Sequence, residues 1–201
     1  FGNVYNERIQ VNEESLWAGK RFNTNNPDAF KDLPEVRELI FEGKVKEAYE
    51  LGNKSLLGTP PRFRSYQILG DIYLSFDSVS PFSGYRRELK LNPGISTTVF
   101  IIDDVVYTRE VFASAPDNVV VIHLSASKEG SINTSIALHR ETDAKVVAQK
   151  DQLILSGQII DETTDEQGSG GEHMKFNARL MAMNKGGEIH AGDSILKVVN
   201  A

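Results

Sequence analysis

With 201 residues, 40% of them hydrophobic and 25% charged, the chain has globular composition and can bury about 70% of the surface it exposes when unfolded. A core of that size needs neither disulfide nor metal, so the absence of cysteine is tolerable and no cofactor is expected. A net charge of −6, with 22 basic residues spread along the chain, argues against nucleic acid or an anionic membrane as partner, and no apolar run approaches the ~18 residues of a membrane helix.

The first predicted element is a strand over residues 7–12, with Ile9 and Val11 on one face and Arg8, Gln10 and Asn12 on the other. Gly2-Asn3 resembles a hairpin turn, so this strand is expected to want a partner that ended just before Phe1. Lacking an initiator methionine, the chain reads as a fragment of a longer protein. Residues 22–31 (FNTNNPDAFK) form a polar loop. Asp32-Leu33-Pro34-Glu35 then has the arrangement of a helix start: an aspartate cap, a proline in the first turn and a glutamate three residues after the cap. Val36, Leu39 and Ile40 make one apolar stripe, and Gly43 is placed to end the helix. Residues 44–57 continue helically, with Val45, Ala48, Tyr49 and Leu51 inward and Gly52 weakening the last turns by roughly 1 kcal/mol.

Gly58-Thr59-Pro60-Pro61 stops helix formation, because neither proline donates to a helical ladder. Thereafter the period is that of strands, over residues 68–76, 85–91, 97–102, 105–113, 119–125, 131–138, 145–149, 152–158, 175–183 and 188–199. Asp103-Asp104 and Lys150-Asp151 read as two-residue hairpin turns; Asn92-Pro93-Gly94 and Lys185-Gly186-Gly187 are further turn signals. Short strands joined by tight turns, without helical crossovers, predict a mostly β fold. The expected architecture is a large two-sheet antiparallel β-sandwich of supersandwich type, one domain over residues 1–201, with a two-helix excursion over about 32–57.

Two stretches stand out as candidate sites. Trp17, the only tryptophan, follows Asn12, Glu13 and Glu14, and an indole face can stack on a sugar ring while amides and carboxylates pair with its hydroxyls; a core tryptophan beside a solvated turn is the plainer reading. Arg62, Arg64, Tyr66 and Gln67 lie in a stretch after the stiff Pro60-Pro61, where guanidinium groups could meet a carboxylate of a ligand or another domain, or form local salt bridges. No residue is expected to be catalytic. Glycoside hydrolysis, for one, needs two carboxylates flanking a bond, whereas Asp103 and Asp104 occupy a turn, Asp117 lies in a loop, and Glu13 and Glu14 point to different sides of a continuing strand. The acidic, glycine-rich residues 161–173 (DETTDEQGSGGEH) fit no EF-hand register and read as a mobile solvated loop. His123, His139, His173 and His190 lack metal-ligand spacing, and no metal site is expected.

VYNERIQVNEESLWAG at residues 4–19, LPEVRELIFEGKVKEAYE at 33–50 and GTPPRFRSYQILGDIYL at 58–74 occur in that order. YRREL at 85–89, YTREVFASAPDNVVVIHLSA at 107–126 and FNARL at 176–180 follow. Together they resemble the N-terminal domain of the glycoside hydrolase family 95 α-L-fucosidases over essentially the whole chain. The departures are Ile68, where the family pattern has proline, and Lys20, where it has glycine. The resemblance implies a non-catalytic β-sandwich preceding a helical linker and a catalytic α/α toroid that hydrolyses terminal α-L-fucosides with inversion. The toroid's acid and base match no position here. It further implies the downstream toroid and fucosylated glycans as partners, and a secreted, periplasmic or cell-surface bacterial parent. Three roles remain open at this point: a scaffold lending a wall to the substrate pocket, a carbohydrate-binding module, and a structural or assembly domain.

Overall fold

A computed structural model describes residues 2–19, 23–78 and 80–201, so the expectations that fall on Phe1, Lys20 and Phe22 lie outside the described residues. The fold is mostly β, with twelve antiparallel strands hydrogen-bonded in three sheets where the sequence suggests two, and with two helices. The strands are β1 (Asn6–Val11), β2 (Gly70–Phe76), β3 (Phe82–Lys90), β4 (Ile95–Ile102), β5 (Val105–Ser114) and β6 (Val119–Ala126). They continue as β7 (Thr134–His139), β8 (Ala144–Gln149), β9 (Gln152–Asp161), β10 (Gly171–Met181), β11 (Glu188–Ala191) and β12 (Ile195–Val199). The helices are α1 (Ala29–Phe41) and α2 (Val45–Ser55). The sheets run β1-β2-β7-β12-β11, β3-β4-β5-β6 and β10-β9-β8. By its contacts the chain divides into two compact units, the first made of Phe1–Glu13, Ile68–Gly157 and Asn177–Ala201, the second of Glu14–Gln67 and Gln158–Phe176.

In the first unit the alternation of the sequence becomes a buried face. Ile9, Ile72, Leu74, Ile136, Leu138, Leu196 and Val198 are buried on one side of the five-stranded sheet, in register across β1, β2, β7 and β12. The four-stranded meander supplies Phe100 and Ile102, which cluster with Val4, while Phe76 meets the Phe100 ring edge-on and Tyr107 stacks on it at 5.4 Å. The Asp103-Asp104 turn has both residues at positive φ, as a two-residue hairpin with the right-handed twist of its strands requires, and Lys150-Asp151 likewise joins Gln149 to its partner Gln152. The strand expected over residues 188–199 is instead the hairpin β11-β12, broken at Gly192-Asp193-Ser194, where the Gly192 N–H donates to the Ile195 carbonyl at 2.9 Å.

One buried ion pair crosses this core. Glu7, on the same face of β1 as Ile9, accepts from Arg109 of β5; both side chains are nearly inaccessible. The Glu7 carboxylate also accepts from the Gly2 N–H at 2.7 and 2.9 Å, and Arg109 donates to the Asn3 carbonyl at 2.8 Å. Burial pulls the Arg109 guanidinium below its ordinary basicity, and the Glu7 charge opposes that shift. A pair this deep is weak evidence of net stabilisation, yet removing one partner strands the other charge.

The second unit contains the helices. Helix α1 begins three residues before the predicted Asp32 cap. Asn26-Pro27-Asp28 makes the start: the Asn26 side chain accepts from the Asp28 N–H at 3.0 Å, and the Lys31 N–H closes a tight turn on the Asp28 carbonyl at 2.9 Å. Pro34 is thereby carried inside the helix, where it leaves the Phe30 carbonyl without its usual donor, and Asp32 sits in the first turn, favourably placed against the helix dipole. Gly43 ends the helix as expected. Its φ of +78° lets the Lys44 N–H reach the Leu39 carbonyl at 2.9 Å and its own N–H reach Ile40 at 3.1 Å. Of the residues expected to face inward, Val36 and Ala48 are buried, whereas Ile40, Val45 and Tyr49 are exposed. The apolar arc of each helix is wider than the stripe its neighbour covers.

Candidate functional site

The candidate site grows from two short segments of the second unit that lie antiparallel. After β1, the chain turns at Glu14-Ser15. Fully buried Leu16 then anchors the segment, and the Gln67 N–H donates to its carbonyl at 2.8 Å. The Ala18 N–H donates to the Ser65 carbonyl at 3.0 Å, so Trp17 and Tyr66 form a bridge pair. Directly opposed residues of an antiparallel pair share a face. Since Leu16 points inward, Trp17 and Tyr66 point outward together, their rings 5.3 Å apart and inclined at 67°. Trp17 is 49% exposed, and its indole N–H is already bonded to the Glu14 carbonyl at 3.1 Å. What the pair presents to solvent is ring surface.

Two residues before Tyr66 lies a buried arginine. The guanidinium of Arg64 donates to the Asp161 carboxylate, to the Glu162 carbonyl at 3.2 Å and to the Gly168 carbonyl at 2.7 Å. Gly19, at φ +95°, lies against the Arg64 stem; a Cβ there would stand 3.0 Å from Cδ. The other Asp161 oxygen is taken by His173 Nε2. His173 is itself buried, held through its carbonyl by the Gln158 side chain at 3.1 Å, and its Nδ1 has no hydrogen-bond partner among the described residues. Both oxygens of Asp161 are thus engaged within the chain, one by Arg64 and one by His173.

Residues 161–173 are largely solvent-exposed, as a solvated loop would be, and Arg64 ties them to the rest of the unit. Arg64 gathers two of the loop's carbonyls and the carboxylate at its root. The Arg62 N–H donates to the Glu166 carbonyl at 2.9 Å, Gln167 donates to the Phe63 carbonyl at 3.3 Å, and Thr164 pairs with Gly168. Acid composition and glycine content suggest solvation, but a basic stretch 97 residues away in sequence supplies the donors. Arg62 pairs with Glu166 at 3.0 Å on the surface, where such a bond contributes little.

Asn12 and Glu13 are exposed at the end of the first unit's β1 segment, and Glu14 is exposed in the turn, contributing its carbonyl to Trp17. The Gln67 side chain donates to the Ser65 carbonyl at 3.4 Å. Sequence reasoning missed Asp161 as the partner of Arg64 and His173 as the partner of Asp161; the one usable signal was the opposition of a basic stretch and an acidic loop. It also missed Glu7 with Arg109, although the period of 2 counted back from Ile9 puts Glu7 on the buried face.

The family described as "Glycosyl hydrolase family 65, N-terminal domain" matches residues 1–201. Alpha-L-fucosidase 2 of Arabidopsis thaliana is 34% identical over 166 residues, covering 78% of this chain and 19% of that protein. Probable alpha-fucosidase A of Aspergillus niger is 35% identical over 135 residues, covering 63% of this chain and 16% of the relative. The protein of that name from Aspergillus oryzae is 28% identical over 173 residues, covering 82% and 21%. The chain thus spans about a fifth of the length of these relatives. The family 95 resemblance over essentially the whole chain is close to this assignment, and the chain, matched from end to end, belongs to the glycosyl hydrolase family 65 N-terminal domain family.

Proposed function

We propose that this chain is the non-catalytic N-terminal β-sandwich domain of an inverting, α-L-fucosidase-like glycoside hydrolase, acting as one domain on a downstream α/α toroid that carries the chemistry. The observation that carries the reading is the Trp17–Tyr66 pair. Two large rings are turned outward on a backbone bridge, anchored by Leu16 and neighboured in sequence by a buried arginine that fixes the 161–173 loop. Rigid elements holding apolar rings at the surface suit a wall offered to a neighbouring pocket. Fucosylated glycans would meet that wall in the whole enzyme, through the ring faces. The names of the fucosidase relatives support the substrate class.

The test is kinetic. In the whole enzyme, Trp17→Ala and Tyr66→Ala are expected to raise KM for a terminal α-L-fucoside or lower kcat/KM by about tenfold, roughly 1.4 kcal/mol of transition-state binding, with folding unchanged. Unaltered kinetics in both variants would refute the pocket-wall role. A carbohydrate-binding module is the second reading, favoured by the indole N–H being internally satisfied so that the free ring surface can stack. Calorimetry of the isolated chain with fucosylated oligosaccharides separates the two, since a pocket wall alone gives no heat.

A further inference from the structure

Trp17 and Tyr66 face each other across an isolated bridge, closed by the bonds from Ala18 to Ser65 and from Gln67 to Leu16. A two-stranded pairing this short is marginal in water on its own, so the ring geometry needs further anchors, of which buried Leu16 is one. Arg64 is another, and it reaches both segments. It lies two residues before Tyr66, and its stem packs on Gly19, two residues after Trp17, where a Cβ would stand 3.0 Å from Cδ and 3.4 Å from Cβ and Cγ. The φ of +95° at Gly19 and the missing side chain together admit that approach. At its other end the guanidinium is committed to the 161–173 hairpin, through the Asp161 carboxylate and the Glu162 and Gly168 carbonyls. Asp161 is held in turn by buried His173, and His173 by the Gln158 side chain.

We infer that Arg64 is the positioning residue of the Trp17–Tyr66 pair, and that the 161–173 hairpin, acting through Asp161 and His173, governs how firmly the two rings are set. A guanidinium held by a carboxylate and two carbonyls is a planar fork fixed in orientation as well as in place, which an ammonium cannot reproduce. The stem bonded to that fork is fixed with it, and Gly19 closes on the stem from the other segment. Hairpin and rings are therefore ordered together: what tightens the hairpin steadies the ring surface, and what loosens it releases the rings. The coupling lies wholly within the second unit. Only its kinetic consequence rests on the pocket-wall reading, which it deepens by naming the part of the chain that regulates that surface.

Trp17 is the chain's only tryptophan, so its fluorescence reads the pair without a label. In the 201-residue chain, Arg64→Met keeps an apolar stem against Gly19 but removes the guanidinium, and Asp161→Ala removes its carboxylate partner. Both should raise acrylamide quenching of Trp17 by about 1.5-fold, under a ceiling of about twofold for an indole already 49% exposed. Arg64→Lys should show the same rise, since charge without the fork does not rescue. Arg62→Met, which breaks the exposed pair with Glu166, and Gly43→Ala, which weakens helix α1 of the same unit, should leave quenching unchanged and so separate positioning from general loss of stability. Should Asp161→Ala not fold, Asp161→Asn keeps the side chain's shape and reads the same coupling. In the whole enzyme, Trp17→Ala should add less to the KM of an Arg64→Met variant than it adds alone. Quenching unmoved by the Arg64 and Asp161 variants, or moved equally by Arg62→Met and Gly43→Ala, overturns the inference. Raised quenching with unaltered kinetics in Trp17→Ala refutes the pocket wall instead and upholds the positioning.

Discussion

Among the described residues, the two units of this molecule each bury one arginine, and they use it differently. In the first, Arg109 meets Glu7 between two sheets whose facing sides are already apolar, with Ile72, Leu74, Phe100, Ile136, Leu138 and Leu196 buried around them. In the second, Arg64 gathers a carboxylate and two carbonyls of a loop, among far fewer buried apolar side chains, chiefly Leu16, Val36, Ala48, Ile159 and Phe176. Among the described residues of that unit, Phe30, Phe41, Tyr49, Phe63 and Trp17 are turned outward, while Phe176 is buried. Apolar burial carries most of the first unit's core, whereas hydrogen bonds fix the 161–173 loop of the second.

The comparison breaks most decisively at Glu7. Glu7→Ala leaves Arg109 buried and unpaired and should cost about 3–5 kcal/mol in urea unfolding, whereas Glu7→Leu with Arg109→Met should recover most of that loss. If Glu7→Ala costs under about 1 kcal/mol, the pair is not an obligate part of the core. Next comes Arg64→Ala, which removes charge-assisted bonds to the 161–173 segment and should cost about 2–3 kcal/mol. Its distinguishing sign is local: hydrogen exchange should quicken at Thr164 and Gly168 but stay unchanged in β4 and β5. Uniform acceleration would deny that the two arginines serve separate regions.

Smaller effects sharpen the same contrast. Gly43→Ala forces a Cβ into a left-handed backbone position and should cost about 1 kcal/mol, read as reduced helix signal and midpoint. Trp17→Ala should change stability by less than about 1 kcal/mol, because half the ring is already in water. A loss several times larger would make Trp17 a packing residue and remove the main support for the pocket-wall role.

What the sequence made legible follows this division. Strands with one buried face write their period into the chain, so β2, β4, β5 and β7 and the Asp103-Asp104 turn could be read directly. Gly43 was legible because a left-handed helix terminus favours glycine. The start of α1 was not, because Asp32-Leu33-Pro34 mimics a cap and the competing Asn26-Pro27-Asp28 turn has side-chain partners that composition does not reveal. Trp17 and Tyr66 each stood out for their chemistry, but their pairing did not, since 49 positions separate them and a single bridge has no period. The same holds for Arg64 with Asp161 and His173: long-range polar partners leave no local signature.

The most direct test of the central claim, that this domain holds shape while another part of the enzyme holds the chemistry, is fucose release from a terminal α-L-fucoside. The isolated chain, the separately made toroid and their mixture would be measured side by side. No turnover by the chain alone, with activity in the mixture well above that of the toroid alone, is the predicted result. Turnover by the isolated chain, or a mixture no more active than the toroid, would contradict it.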